Sequence, residues 1–346
     1  MILAYDRKFN TPLVLFTAYK SEIKYGIPKL KLEAISPTKL GFSSGTEYGK
    51  VYNSGKNIIA TGYYNNLYEV NSYDPATKTW SYISFTTKPI MYWGNGVFLW
   101  VQFTYVYVST DGKDIQYAGN LPNEKNPAMC AASSGKAGVV SCWYVDNPIY
   151  CKDDITTSDS WIMPGTFDKD GICCFTAMTW HKGQFVGIAS ETVTGSNKGG
   201  IQISVSGRKW TRTIQYSYGH SGDDYKSFEQ IRSVGGRLFL IAAYRKGTSG
   251  DYTGQFCTMR DGGDRYTVDF EAGQFDLPNL DAIVYVSKYA QFVAFGKANI
   301  YISPDGYNWE IADTAAFDSR PVSAVHIPGD GFYVSTTETV YYAACP

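Results

Sequence analysis

Charge, histidine and arginine are scarce in this chain, and each shortage removes a class of function. Asp, Glu, Lys and Arg together make up 18% of the 346 residues and nearly cancel, leaving a formal net charge of −1. With Lys and Arg scattered, the sequence offers no electrostatic footprint for nucleic acid or an anionic membrane. The three histidines, His181, His220 and His326, form no His-x-x-x-His pair, and neither a Gly-x-Ser-x-Gly elbow nor a P-loop occurs. His326 sits in an alternating stretch and reads as a sheet residue rather than a base. The seven cysteines (Cys130, Cys142, Cys151, Cys173, Cys174, Cys257, Cys345) are odd in number and none has C-x-x-C spacing. That argues for buried thiols and against a zinc site or a complete disulfide framework. No apolar stretch reaches 18 residues, and Met1-Ile2-Leu3-Ala4-Tyr5-Asp6-Arg7 lacks the basic start and long apolar run of a signal peptide. Neither membrane insertion nor leader-directed secretion is therefore expected.

Aromatic residues and glycine are abundant. Aromatics reach 16%, with 29 Tyr, alongside 34 Gly, a composition suited to many short strands joined by Gly-rich turns. The expected class is all-β. Ser303-Pro304-Asp305-Gly306-Tyr307-Asn308-Trp309 shares its Ser-x-Asp-Gly skeleton with Ser109-Thr110-Asp111-Gly112. Partial copies occur at Ser204-Val205-Ser206-Gly207-Arg208-Lys209-Trp210, Ser158-Asp159-Ser160-Trp161 and Arg260-Asp261-Gly262-Gly263. Each reads as a tight hairpin turn in which Asp accepts backbone N–H groups, Gly supplies φ > 0 and Trp restarts an apolar strand.

A second landmark fixes the period. Strand starts at Gly96-Val97-Phe98, Gly183-Gln184-Phe185 and Gly236-Arg237-Leu238 join Ile58, Val140, Phe292 and Phe332 in a series spaced 40, 42, 45, 53, 54 and 40 residues apart. A four-stranded propeller blade takes roughly 40 to 50 residues. Seven anchors predict a β-propeller of about seven four-stranded blades, covering residues 1–346 as a single domain without an internal linker. The expected blades run roughly 51 to 85, 90 to 118, 131 to 164, 175 to 213, 228 to 270, 281 to 312 and 322 to 345. The last supplies only about three strands, and an open sheet edge is a liability. An N-terminal strand, from Met1 to Arg7 or Leu13 to Ala18, is therefore expected to close it. Residues 8–50 stay open between part of that closing blade, an eighth blade suggested by Phe16, and an arm.

The Ser-x-Asp-Gly-x-x-Trp pattern resembles the Asp-box, or bacterial neuraminidase repeat, of sialidases and of many non-enzymatic propellers. Tyr73-Asp74-Pro75-Ala76-Thr77-Lys78-Thr79-Trp80 resembles the closing segment of kelch repeats, without their upstream double glycine. The resemblance implies structural roles for Asp74, Ser109, Asp111, Gly112, Trp161, Trp210, Ser303, Asp305, Gly306 and Trp309. Sialidase chemistry does not carry over. No Arg-Ile-Pro segment lies near the first blade, and residues 8 to 119 contain no arginine, so the arginine triad cannot be assembled. Asp168-Lys169-Asp170-Gly171 opens like a calcium loop but lacks the third Asp and the distal Glu. No catalytic residue, metal or cofactor is expected.

Loop length points to recognition. With strands A to D in each blade, A–B and C–D loops share one face of the disc, and B–C and D–A loops share the other. The extra length at 191 to 200, 214 to 227 and 245 to 254 falls on the second face. It carries Tyr216, Tyr218, His220, Asp223, Asp224, Tyr225, Asp251 and Tyr252, chemistry suited to adaptable contacts and sugar stacking. Similarity to short Asp-box propellers of bacteriophage tails implies a non-enzymatic virion component, assembled in the host cytoplasm. Its expected partners are cell-surface glycan, neighbouring tail proteins or further copies of itself. A glycoside hydrolase with an unfamiliar carboxylate pair and an assembly factor in the bacterial cytoplasm remain the alternatives.

Overall fold

The computed structural model describes residues 3–6, 11–14, 26–35, 42, 47–53, 57–74, 77, 79–85, 90–122, 128–142, 149–163, 174–190, 198–217, 225–245, 252–262, 265–269, 279–315 and 317–345. A hairpin of β1 (Leu3–Asp6) and β2 (Thr11–Val14) precedes β3 (Glu33–Ile35). Seven antiparallel sheets follow in chain order. The first holds β4 (Glu47–Asn53), β5 (Ile58–Tyr64), β6 (Leu67–Asp74) and β7 (Thr79–Phe85). The second holds β8 (Ile90–Gly94), β9 (Val97–Gln102), β10 (Tyr105–Ser109) and β11 (Gln116–Asn120). The third has β12 (Ala128–Ser133), β13 (Gly138–Cys142) and β14 (Ile149–Lys152). The fourth comprises β15 (Cys174–His181), β16 (Gln184–Ser190), β17 (Lys198–Ser204) and β18 (Thr211–Ser217). The fifth comprises β19 (Tyr225–Val234), β20 (Arg237–Arg245), β21 (Tyr252–Gly262) and β22 (Arg265–Asp269). The sixth has β23 (Ile283–Val286), β24 (Gln291–Phe295), β25 (Asn299–Ser303) and β26 (Glu310–Thr314). The seventh has β27 (Ser323–Ile327), β28 (Gly331–Ser335) and β29 (Val340–Ala344), completed by β3.

The seven period anchors, Ile58, Phe98, Val140, Phe185, Leu238, Phe292 and Phe332, all fall on the second strand of successive sheets, and all are buried. A second strand has ladder neighbours on both edges and other sheets over both faces, so its centre is mostly apolar, as in Val97-Phe98-Leu99-Trp100-Val101. Apolar clusters weld neighbouring sheets. Tyr52, Ile59 and Val70 of the first meet Phe98 and Trp100 of the second, and Val186, Ile188 and Ile201 of the fourth meet Ile231, Leu238 and Leu240 of the fifth. Val325 and Val340 of the seventh sheet pack with Val51 and Ala60 of the first.

Two expectations require correction. The strand that joins β29 is neither 1–7 nor 13–18: β1 and β2 pair with each other, and Glu33–Ile35 pairs with Val340–Tyr342. A single strand beside β29 needs little apolar character, so this three-residue segment carried no periodic signal. Among the described residues the third sheet also has three strands rather than four, and Ser158-Asp159-Ser160-Trp161 closes no hairpin between them. Residues 153–163 take the place of the fourth strand, touching β14 through one bridge between Cys151 and Ile162. Trp161 fills the core beneath this segment and donates from Nε1 to the Ala118 carbonyl at 3.0 Å. The Lys152 ammonium is buried against three carbonyls, of Ala118, Thr157 and Asp159, at 2.8, 2.6 and 2.6 Å. The four cysteines whose side chains are described, Cys130, Cys142, Cys151 and Cys345, form no disulfide, and burial pushes Cys142 up to about 12.

The Ser-x-Asp-Gly segments join third to fourth strands. In the sixth sheet, Gly306 N–H donates to Ser303 Oγ (2.8 Å), and Tyr307 and Asn308 N–H donate to Asp305 Oδ1 (2.8 and 2.9 Å). In the second, Gly112 N–H donates to Ser109 Oγ (2.8 Å), and Lys113 and Asp114 N–H donate to Asp111 Oδ1 (2.9 Å each). Trp309 and Trp210 donate from Nε1 to the Gly306 and Gly207 carbonyls, at 3.2 and 3.0 Å. At the kelch-like turn Asp74 Oδ1 accepts the Thr77 N–H at 3.3 Å. Arg260–Gly262 lies at the end of β21, ahead of β22. The calcium-like segment 168–171 and Phe16 lie outside the described residues.

Burial alone would raise the Asp305 pKa, but the N–H donors of Asn308 and Tyr307 overcome it and hold the carboxyl down to about 2. Replacing Asp305 with Ala should lower unfolding free energy by about 1–2 kcal/mol in urea titration. Because the folded pKa is depressed, the carboxylate's contribution is complete above about pH 4 and fades as pH falls towards 2. The stabilities of wild type and Asp305→Ala should therefore converge in acid.

Candidate central cavity

The last residues of the first strands converge on a cavity of about 370 Å³, lined from the first, second, fifth, sixth and seventh sheets. Two charged side chains from distant parts of the chain, Arg232 and Asp281, line it, a third, Lys50, reaches Asp281 from outside the lining, and a local irregularity lies at or just before each one. Lys50 lies in a β-bulge of β4, where register shifts between Tyr48 and Val51. Thr61 Oγ1 holds the bulge by accepting the Lys50 N–H at 2.7 Å and donating to the Lys50 carbonyl at 3.1 Å, turning the side chain out of the normal alternation. Arg232 follows a second bulge, between Phe228 and Gln230 of β19. Asp281 sits in a 3-10 turn, Leu280–Ala282, capped by Asn279, whose side chain accepts the Asp281 N–H at 3.1 Å. Gln230 Oε1 accepts the Leu280 N–H at 3.2 Å and ties this turn to the fifth sheet.

Asp281 is clamped from both sides. Lys50 Nζ bonds Oδ2, and Arg232 Nη1 lies 2.6 Å from Oδ1. Burial opposes ionisation, but the Arg232 and Lys50 charges outweigh it and hold Asp281 at about 2. The Asp281 charge in turn raises the pKa of Lys50. All three groups are charged at neutral pH, giving the cluster a net charge of +1. Its side chains retain contact with solvent, at 17% exposure for Asp281, 25% for Arg232 and 43% for Lys50. Tyr52 lies against the cluster, its hydroxyl pKa raised by burial. Behind the wall, His181 Nδ1 is 2.9 Å from Ser233 Oγ, and burial lowers this imidazole to about 4, so it is neutral at pH 7.

Two aromatic rings complete the wall. Trp93 rests on Phe98 with ring centroids 4.5 Å apart, and Tyr285 rests on Phe292 at 4.8 Å. Both supports are period anchors, so the positions that set the fold also fix the rings facing the cavity. His326 lies in β27 as expected and also lines the cavity, with its ring 4.8 Å from Phe332. Among the described residues no group of three His, Cys, Asp or Glu side chains is arranged to hold a metal ion.

The loop residues singled out in the sequence lie elsewhere. Tyr216, Tyr225 and Tyr252 have their backbones in β18, β19 and β21, and Tyr225 and Tyr252 both pair in register with Arg245. These positions are at the strand ends remote from the first-to-second turns that border the cavity. Tyr218, His220, Asp223, Asp224 and Asp251 lie outside the described residues. Lys50 and Asp281 belong to no motif, and Arg232 stood out only as one of nine arginines. Their charges are 231 positions apart in the first pair, so spacing carried no signal of the cluster.

No family model matches the chain, and no curated protein matches it in sequence. Solved structures do. Oligogalacturonate lyase in complex with manganese aligns over 92% of this chain and 96% of its own, with TM-score 0.55 and 8% identity. The computationally designed Ika8 protein aligns over 86% and 96%, at 0.53 and 10%. The Dos1 propeller aligns over 88% and 79%, at 0.50 and 12%. The chain has a β-propeller fold. At these identities the likeness extends to the fold and no further.

Asp281→Asn should strand two cations side by side and lower stability by about 2 kcal/mol, below the full buried-pair cost because solvent reaches the cluster. Lys50→Met leaves Asp281 paired with Arg232 and should cost about 1 kcal/mol or less. Urea midpoints at pH 7 check this order, and equal losses for the two variants would contradict the clamp.

Proposed function

We propose that this chain is a closed seven-bladed propeller of Asp-box type that acts by recognition, not catalysis, as a component of a bacteriophage virion. The single domain is closed by Glu33–Ile35, and its partner is a host-surface glycan or a neighbouring virion protein. One observation carries the preference for recognition. Asp281 is the only carboxylate among the described residues lining the cavity, and both its oxygens are engaged by cations. Generic glycoside hydrolysis uses two carboxylates about 5–9.5 Å apart, one of them protonated. A lone carboxylate held ionised at about 2 cannot be the protonated acid, and with both oxygens bound by cations it is poorly placed to act as the base or nucleophile.

The contact surface in this reading is the loop face carrying 191–200, 214–227 and 245–254. Tyrosine offers large contact area with few rotors and a polar tip. The Ser-x-Asp-Gly turns are structural in this reading, consistent with the hydrogen bonds that close them. A position of the gene among tail genes would support the virion assignment directly.

Exchanging Tyr218, Tyr225 and Tyr252 together for Ser should weaken binding to host cells, to their purified glycan or to the adjacent virion subunit by about tenfold or more. Pull-down and surface-binding titrations measure it, with melting temperature as the check on folding. Undiminished binding by the folded triple variant would remove this surface from consideration.

A further inference from the structure

The central cavity has the makings of a second site, at the opposite strand ends from the loop face. Its volume of about 370 Å³ lies within the range of small-molecule sites. It combines three features. The first is an unbalanced charge: Arg232 and Asp281 line the cavity, and Lys50, bonded to Asp281 from outside the lining, leaves the cluster with one positive charge in excess. Arg232 contacts Asp281 through Nη1, and among the described residues its other guanidinium donors have no partner. A guanidinium with donors to spare is suited to a planar, bidentate acceptor such as a carboxylate. The second is the pair of rings, Trp93 and Tyr285, each propped from behind by a buried phenylalanine. Their indole and phenol faces suit the flat or weakly puckered surface of a six-membered ring. The third is rigidity. Lys50 and Asp281 are held by the hydrogen bonds of their bulge and turn, and Arg232 by its regular ladder pairing with Phe239, so the donors are positioned before a ligand arrives.

We propose that this cavity binds a small organic monocarboxylate carried on a six-membered ring, with the carboxylate on the Arg232 side and the ring against Trp93 and Tyr285. Asp281 sets the stoichiometry. It neutralises one of the two cations, so the site accommodates one negative charge and disfavours a dianion. The inference is independent of the virion reading, because none of these residues lies on the loop face.

The test uses the full chain and isothermal titration with two ring carboxylates, benzoate and glucuronate, against their neutral counterparts benzamide and glucose. Binding of benzoate alone identifies an aromatic ring ligand, and binding of glucuronate a pyranose ligand. In either case the carboxylate should bind at least about tenfold more tightly than its neutral counterpart, the weight of one charge-assisted contact. Arg232→Gln should abolish the preference, but it also removes a partner of Asp281 and is open to folding loss. Lys50→Met is the decisive variant, since it removes the excess positive charge while leaving the Asp281–Arg232 pair in place. It should keep the wild-type far-ultraviolet circular dichroism and lose carboxylate binding by about tenfold. The tyrosine triple variant should bind the carboxylate as wild type does. Equal affinity for charged and neutral probes, undiminished binding in folded Lys50→Met, or no heat from either carboxylate at millimolar concentration would each overturn the proposal.

Discussion

The interaction on which this architecture rests is the satisfaction of the inner edge of each sheet. Every first strand has a ladder partner on one side only, so its outer N–H groups need acceptors from the neighbouring sheet. Side-chain hydroxyls supply them. The Val51 N–H donates to Ser323 Oγ at 2.7 Å, Phe175 to Ser141 Oγ at 2.8 Å and Ser233 to Thr179 Oγ1 at 3.3 Å, while the Trp180 N–H of the fourth sheet reaches past the third to Tyr92 Oη of the second at 3.3 Å. Ser141 and Ser323 are buried, and Ser323 is itself tied to Ser335 at 2.8 Å. A buried hydroxyl with both its roles filled is stable where an unpaired one costs about 1–3 kcal/mol. Serine and threonine of the adjoining sheet therefore do what ladder bonds do within a sheet, and they fix the height at which one sheet stands beside the next.

That fixed height is what allows three isolated charges to meet. An ion pair with limited solvent access is stabilising only where geometry is good and the lone pairs are taken. Lys50 and Arg232 come from the first and fifth sheets and Asp281 from the turn that leads into the sixth, and a slip of one residue in either strand would turn its side chain to the other face. The bulges at Lys50 and before Arg232 break the alternation at two of the three positions, while Asp281 lies in a turn outside any ladder. Their convergence is a consequence of sheet placement as a whole, which is why it behaves as a cavity wall and not as a local surface salt bridge.

The same distinction explains what the sequence disclosed. The anchors were legible because a second strand is buried on both faces, so residues such as Phe98 and Phe332 must be large and apolar at every recurrence. The Ser-x-Asp-Gly turns were legible because their hydrogen bonds are local, spanning two or three residues. Glu33–Ile35 was not, since a partner at an outer edge contributes backbone and little burial. Trp161 was read as part of a turn because Ser158-Asp159-Ser160-Trp161 mimics one. Its actual environment, under Lys152 and the Ala118 carbonyl, depends on a missing strand that no local pattern announces. The charged cluster was least legible of all, for its members share neither a segment nor a spacing.

The Ser-x-Asp-Gly turn is more than a hairpin closure, because each copy also locks onto the preceding sheet. A Cβ on Gly112, whose φ is +74°, would stand 1.9 Å from Ile59 Cδ1, and one on Gly207, at φ +75°, 2.5 Å from Val139 Cγ2. Ile59 and Val139 each neighbour a period anchor, so the glycine admits the most tightly packed strand of the preceding sheet. The turn's own carbonyl is claimed from the same side. Asn57 Nδ2 donates to the Asp111 carbonyl at 3.0 Å, and Arg237 Nε to the Asp305 carbonyl at 2.9 Å, with the Arg237 guanidinium 4.6 Å over the Tyr307 ring. At the fourth sheet Arg208 replaces these with a two-pronged pair to Asp153, at 3.1 and 2.5 Å. Asp thus orders the turn, Gly opens it to the neighbour, and the freed carbonyl fastens it there. The motif recurs because the joint between sheets recurs.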